Sequence, residues 1–203
     1  LSSAGIQYEM MDKDGGICCG RPMMMAGRKE PALEMIAKNT EIIKSSGADI
    51  LLLSCPICYK VFRESYRLEG IRIMHHTEYL ESLISEGRLS LRKNDVRYVY
   101  HDPCELGRGC GIYESPRKVI SSAGSLVEAG KHHKESICCG GSVGSLSLGF
   151  DKRKALTESA LTSLTAESPD VIVTACPLCR STFNRYSDRP VNDIAEIVDK
   201  SSL

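Results

Sequence analysis

The sequence predicts an α/β fold of two pseudo-repeated lobes. Each is a small, mostly parallel sheet flanked by helices beside a cysteine-ligated metal site. Three observations predict it. The tetrapeptide Ile-Cys-Cys-Gly occurs at Ile17–Gly20 and again at Ile137–Gly140, and each copy is followed by a Cys-Pro-x-Cys, Cys55–Cys58 and Cys176–Cys179. Between the paired motifs, both halves carry a helical stretch and then a short apolar run. Helical stretches and apolar runs alternate along the rest of the chain, the pattern of α/β architecture. Thiols that reappear in one order mark an internal duplication and read as two sets of soft metal ligands.

In the first half, Cys18 and Cys19 follow a glycine-rich loop, Asp14-Gly15-Gly16. The spacing of Leu33, Ile36, Ala37, Thr40 and Ile43 predicts a helix that Gly47 ends. A strand over 49–54 then delivers Cys55, and Pro56 opens the next helix. A strand over 71–74 and a helix over 78–86 complete the half. The second half begins with a strand over 96–100, the segment His101-Asp102-Pro103-Cys104, a helix over 114–122 and a strand over 125–128. After Cys138 and Cys139, flanked by Gly141 and Gly144, comes a helix over 152–166 with Ala155, Leu156, Ala160, Leu161 and Leu164 on one stripe, ended near Pro169. A strand over 170–175 delivers Cys176, and Pro177 opens the following helix. The strand runs are apolar throughout, as expected of parallel strands covered on both faces. The duplication divides the chain into repeats at 1–90 and 91–203. In each Cys-Pro-x-Cys the first thiol is expected at the positive end of a helix, which lowers its pKa, with the second one turn on.

Composition narrows the function. With 203 residues, 42% of them hydrophobic, the chain can bury an ordinary core, which aliphatic side chains must fill because there is no tryptophan and only three phenylalanines. Lys plus Arg and Asp plus Glu are 26 each, which argues against a nucleic-acid partner. No apolar run approaches the ~20 residues of a membrane helix, so any membrane association is expected to run through a partner. No secretory leader is visible, and the chain opens on Leu1, so the natural amino terminus is expected upstream. Disulfide frameworks belong to small secreted domains, and a vicinal pair such as Cys18-Cys19 closes a strained ring. Metal or cluster binding in a reducing, cytoplasmic setting is therefore expected.

Eight of the ten cysteines fall in the repeat, and Cys104 adds a fifth thiol to the second set. That set is Cys104, Cys138, Cys139, Cys176 and Cys179; the first is Cys18, Cys19, Cys55 and Cys58. The position matching Cys104 falls before residue 1, so either the first site differs in chemistry or its fifth thiol lies upstream. Structural zinc sites usually pair two short Cys-x-x-Cys knuckles, and five thiols oversupply one tetrahedral ion. Iron–sulfur clusters accept thiolates from a more open cage, and the glycines let backbone amides approach sulfide. The second site therefore reads as iron–sulfur, while the first leaves iron–sulfur and zinc both open.

The order Cys…Cys-Cys-Gly…Cys-Pro-x-Cys, present twice, resembles the cysteine-rich CCG family. That family includes catalytic subunits of heterodisulfide reductases and iron–sulfur subunits of glycolate- and lactate-oxidising enzymes. His101-Asp102-Pro103-Cys104-Glu105-Leu106-Gly107-Arg108 and Tyr113-Glu114-x-Pro116-Arg117 are similar to its second repeat. The resemblance covers nearly the whole chain. It implies a non-cubane [4Fe–4S]-type cluster held by Cys104, Cys138, Cys139, Cys176 and Cys179. It implies a second cluster at Cys18, Cys19, Cys55 and Cys58, with zinc the alternative there. The implied activity is that of an iron–sulfur oxidoreductase component, heterodisulfide-reductase-like, fed by a flavoprotein or ferredoxin-type electron-donor subunit. The rival readings are an electron-relay subunit of a flavin-dependent hydroxyacid oxidase and a zinc-stabilised assembly module. No Gly-x-Gly-x-x-Gly dinucleotide fingerprint follows a strand.

Other residues have plainer expectations. Cys110 reads as a small idle thiol, and the His75-His76 pair as a cap for the next helix or a carboxylate partner. His101 and Asp102 are either a hydrogen-bonding support for the adjoining thiolate or a turn before Pro103. Met23-Met24-Met25 reads as shielding for the site or as irregular packing. Arg21, Arg108 and the 131–134 tract read as solvated surface.

Overall fold

The computed structural model describes residues 1–11, 13 and 18–203, with residue 143 described in its backbone alone; Asp14-Gly15-Gly16 and Ile17 lie outside the described residues. The first half runs α1 (Arg21–Met25), α2 (Lys29–Ser45), β1 (Ile50–Leu53), α3 (Pro56–Ser65), β2 (Arg72–His75) and α4 (His76–Ser85). The second runs β3 (Arg97–His101), α5 (Gly107–Cys110), α6 (Glu114–Ala123), β4 (Ser125–Val127), α7 (Phe150–Thr165), β5 (Val171–Thr174), α8 (Pro177–Phe183), β6 (Val191–Asp193) and α9 (Ile194–Ser201). Short 3-10 turns lie at Ser2–Ala4, His133–Glu135 and Val143–Ser147.

Two parallel sheets result. β1 pairs β2 from Ile50 opposite Arg72 to Leu53 opposite His75. The larger sheet has the order β4-β3-β5-β6, every pair parallel. The repeat is visible as equivalent runs of elements: α2-β1-α3-β2-α4 matches α7-β5-α8-β6-α9. Both closing helices start with the same device. The His75 side chain caps α4 with Glu78 reaching back to the His75 amide, and Asp193 and Glu196 do the same for α9.

The central strands are the driest part. Val99, Tyr100, Ile172 and Val173 are fully buried, whereas all four β1 residues are half-buried. One face of the large sheet packs Tyr98, Tyr100 and Val173 against Val119 and Ile120 of α6 and Ile194, Ile197 and Val198 of α9. Leu80 and Leu83 of α4 join that same core, so the last helix of the first half is anchored in the second. The other face carries Val99 and Ile172 against Ala160 and Leu164 of α7, Phe183 and three cysteines. The helix faces differ in part from the sequence expectation. Leu33 and Ala155 point to solvent, while the polar Asn39 and Thr157 are buried. Both polar side chains hold cysteine-bearing loops.

Burial leaves His75 and His76 uncharged. Desolvation drives His75 down to about 2, with the His76 charge adding to the effect, and drives His76 down to about 4. In the unfolded chain both ionise near 6.5. Groups depressed on folding stabilise the protein above the unfolded value and lose that stabilisation as pH falls toward the folded one. Stability is therefore expected to decline between about pH 6.5 and 4, by up to ~1.4 kcal/mol per pH unit for each histidine. Urea midpoints at a series of pH values check this, and His76→Gln should flatten the decline.

Candidate metal centre

Cys55, Cys104 and Cys176 lie just beyond the carboxyl ends of β1, β3 and β5, where parallel α/β sheets bind ligands, with Cys58 and Cys179 inside α3 and α8 and the paired cysteines in loops. Cys55 caps α3 and Cys176 caps α8, with Pro56 and Pro177 in the first helical turns. The Cys-Cys-Gly loops are tied down by α2 and α7. Asn39 donates to the Cys18 carbonyl at 3.0 Å and the Tyr66 hydroxyl donates to the Cys19 carbonyl at 3.2 Å. In the second half the Thr157 hydroxyl donates to the Cys139 carbonyl at 2.8 Å. Asn39, Tyr66 and Thr157 escaped the sequence reading. Their signal was there, because Asn39 and Thr157 each continue an apolar helical stripe with a polar side chain.

Both loop glycines are left-handed, Gly20 at φ 91° and Gly140 at φ 78°. A Cβ on Gly140 would come within 2.8 Å of the Arg153 carbonyl oxygen. Gly140→Ala is therefore expected to cost about 1–3 kcal/mol, through strain in that region of backbone space plus the collision. Chemical denaturation of the metal-free variant checks the figure. The same turn aims two amides at sulfur: Gly140 N–H donates to Cys138 Sγ and Gly141 N–H to Cys139 Sγ, each at 3.5 Å.

In the first set, the Cys58 thiol stands between two others. It lowers Cys19 to about 6 and Cys55 to about 7, while Cys19 and Cys55 push Cys58 far up. Main-chain amides of Cys58 and Ile57, at the start of α3, lower Cys55 further, as the helix-end argument requires. Cys18 is exposed. In the second set all five thiols are linked. Cys104 and then Cys139 hold Cys138 down to about 2, and Cys138 pushes Cys104 up. Cys139 stands at about 12, raised first by Cys138 while Cys179 lowers it. Cys179 is raised by Cys139 and Cys176, and Cys176 is lowered chiefly by Cys179. Each thiol thus acts on the next in the order Cys104–Cys138–Cys139–Cys179–Cys176. The two sets also sense each other, since the charge of Cys55 acts on Cys176.

The surroundings of the second set fit a multi-atom sulfur-ligated group. His101 is 2% exposed, and its ring nitrogen, Cys139 Sγ and Cys179 Sγ lie within 4.8 Å of one another. Among the described residues, His101 Nε2 and the neighbouring Thr174 Oγ1, on residues paired across β3 and β5, are buried without hydrogen-bond partners. Orphaned donors beside clustered thiols are what bridging sulfide would satisfy. Burial pushes His101 down to about 4, so it faces the thiols as a neutral ring.

Charged residues frame the centre. Asp102 accepts two hydrogen bonds from Arg117, at 2.7 and 2.8 Å, and a third from the His133 amide at 2.8 Å. Arg117 also grips Glu128 and the Tyr113 carbonyl. Arg108 is exposed, as expected, and also donates to the Lys134 and Ser136 carbonyls, bracing the loop before Cys138. Arg21 and Lys60 of the first half lie 3.9 and 3.4 Å from Glu105 of the second, so Glu105 joins the two sets. Glu128, His132 and His133 converge too, but Arg117 already occupies Glu128. Cys110 stands apart beside a 250 Å³ cavity lined by Lys60, Arg63, Glu64 and Gly109, and burial raises its pKa. Met24 packs in the first core, while Met25 is exposed close to Gly144.

The cysteine-rich (CCG) domain matches residues 2–63 and 98–184. The chain is 32% identical over 192 residues to one component of the dihydromethanophenazine:CoB–CoM heterodisulfide reductase of Methanosarcina acetivorans, covering 89% of this chain and 46% of that protein. It is 29% identical to the EtfAB:quinone oxidoreductase of Syntrophomonas wolfei, over 99% of this chain and 30% of that one. It is 27% identical to an uncharacterized iron–sulfur protein of Methanococcus maripaludis, over 91% and 39%. The chain thus spans half or less of the length of these relatives. No helix among the described residues is long and apolar enough to cross a membrane. With the domain matched in both halves and its paired cysteines gathered at the strand ends, the chain belongs to the cysteine-rich CCG domain family.

Proposed function

We propose that this chain is an iron–sulfur oxidoreductase component built of two repeats, 1–90 and 91–203, that passes electrons through cysteine-held clusters. Cys104, Cys138, Cys139, Cys176 and Cys179 hold a [4Fe–4S]-type cluster, and Cys18, Cys19, Cys55 and Cys58 hold a second metal group. The observation that carries the reading is the clustering of His101, Cys139 and Cys179 within 4.8 Å, among five thiols that act on one another, with His101 Nε2 and Thr174 Oγ1 unpartnered among the described residues. A bound cluster supplies one-electron chemistry at this position. The protein's own part is to exclude water with buried Cys139, Cys176 and Cys179, and to aim the Gly140 and Gly141 amides at sulfur.

Heterodisulfide reductase and EtfAB:quinone oxidoreductase, as relatives, favour a role between an electron-donor subunit and an oxidised acceptor. A disulfide held between the two facing sets is the heterodisulfide-reductase-like form of that role. The electron donor is a flavoprotein or a ferredoxin-type protein, in a reducing cytoplasmic setting. Zinc is the second reading for the first set alone, because four thiols with one exposed suit a single tetrahedral ion. Iron, acid-labile sulfide and zinc are quantified on the anaerobically purified chain together with its visible spectrum. Iron and sulfide with broad absorption near 400 nm are expected. Zinc without sulfide would leave an assembly module and sink the redox reading.

A further inference from the structure

Two histidines in the loop between β4 and the second Cys-Cys-Gly belong to neither thiol set. His132 is exposed and His133 half-buried, and Glu128, the residue after β4, is half-buried too. A nitrogen from each ring and a carboxylate oxygen of Glu128 lie within 4.8 Å of one another. The two Nδ1 atoms face each other, 2.6 Å apart. Imidazole and carboxylate together suit borderline divalent ions such as zinc.

His133 is held in place for such a role. Its amide donates to Asp102 at 2.8 Å, the Tyr113 ring stacks on it at 5.4 Å, and its Nε2 lies 3.0 Å from Glu114 Oε1. Its backbone is left-handed, φ 53°, a conformation that histidine adopts more readily than most side chains. Donating Nε2–H to a carboxylate leaves the lone pair on Nδ1, the tautomer and outer partner that metal-bound histidines ordinarily have. His132 then supplies the proton between the two Nδ1 atoms. Arg117 holds both Glu128 oxygens, at 2.8 and 3.0 Å, but a carboxylate offers about four lone-pair sites, so each oxygen keeps one. The Glu128 side chain is 37% exposed, so those sites are open to an ion. The hydrogen-bonded group sets one guanidinium against the carboxylates of Asp102, Glu114 and Glu128, and is short of positive charge. Lys134 and Glu135, which line the adjoining 420 Å³ cavity with Tyr113 and the two rings, offset each other.

We propose that Glu128, His132 and His133 form a thiol-free site for one zinc-class divalent ion, bound through Nδ1 of both rings and one Glu128 oxygen, with a fourth position open to the cavity. Two nitrogens bound tetrahedrally to one zinc stand about 3.3 Å apart, so the exposed His132 ring need move by less than about one ångström. Its proton passes from Nδ1 to Nε2 as the ion enters, and the site loses none. The open position takes water or an anionic oxygen ligand, which Lys134 in the lining would attract. None of this rests on the clusters proposed for the thiol sets.

The test is a zinc titration of the anaerobically purified chain with its own metal content, followed by the ring ¹⁵N resonances of its histidines. His101 lies against Cys139 and Cys179, so its ring reports any zinc taken up by the thiols. Zinc should shift both His132 and His133, move the His132 proton to Nε2, and leave His75 unchanged. His133→Asn keeps a side chain that tolerates the left-handed backbone but removes a ligand. It should abolish the His132 response with the His75 and His101 resonances in place, which shows the fold intact. Glu114→Ala, which removes only the outer partner, should weaken binding about 10-fold. Rings of His132 and His133 that stay still while zinc shifts His101 alone overturn the site. So does a His132 response that survives in His133→Asn, or binding only on the order of millimolar zinc.

Discussion

Cys179→Ser is expected to abolish metal binding at the second set, removing one cluster's worth of iron and sulfide per chain and the matching share of the absorption near 400 nm. Cys179 is 4% exposed and stands between Cys139 and Cys176 in the run of thiols. Its removal would delete a proposed ligand and the thiol that acts on both Cys139 and Cys176. Serine is nearly isosteric, so the metal-free fold should lose only about 1 kcal/mol, the ordinary cost of a buried polar change. Cys110→Ser is the matched control, since Cys110 lies outside both sets, and it should retain all iron. Parallel iron assays and metal-free denaturation separate loss of a ligand from loss of fold. Full iron in Cys179→Ser would remove this cysteine from the assignment.

Arg117→Ala should be the most destabilising single change, by about 3–5 kcal/mol. Arg117 and Asp102 are 5% and 3% exposed, and the pair is bidentate. Burial works against the Arg117 charge, yet Asp102 and then Glu128 raise its pKa above the ordinary arginine value. The guanidinium also lies 5.2 Å over the Tyr100 ring. Truncation strands the Asp102 carboxylate in a dry site, a larger penalty than the pair's net worth. Asp102 lies between His101 and Cys104, so the damage should spread to the loop that presents Cys104. Urea denaturation of the metal-free proteins measures the loss; a loss under about 1 kcal/mol would mean that water replaces the guanidinium.

Most of the fold was legible because parallel strands are short aliphatic runs and their helices begin at proline. Ile50–Leu53 and Val171–Thr174 stood out for that reason, as did Pro56 and Pro177. β6 and α9 were missed. Val191-Asn192-Asp193 is three residues with one apolar side chain, and only its place beside β5 makes it a strand. α1 and α5 have five and four residues, too few for periodicity to register. Leu33 was misplaced because the buried stripe of α2 runs through Ala32, Asn39 and Ile43. Hydrophobicity alone gives Asn39 no reason to be there; the Cys18 carbonyl does. At the site, the repeated cysteines were plain in the sequence. The joining of the halves by Glu105, and by His76 opposite Asp193, was not, because those contacts cross between repeats and leave no local pattern.

The inequality of the two sheets sets an order in which the molecule opens. β1 lies half-exposed in a sheet of two strands, while β3 and β5 lie at the middle of four with side chains sealed from water. Regions with little sealed apolar surface exchange their amides through local openings far cheaper than global unfolding. α4 does not share that looseness, because Leu80 and Leu83 hold it in the second core. The segment that loosens first is therefore β1, which leads into Cys55, with the exposed Cys18 in the same half. Alkylating or oxidising reagents would consume the thiols in sequence, the first half before the second, and leave a folded remnant that still holds its five cysteines.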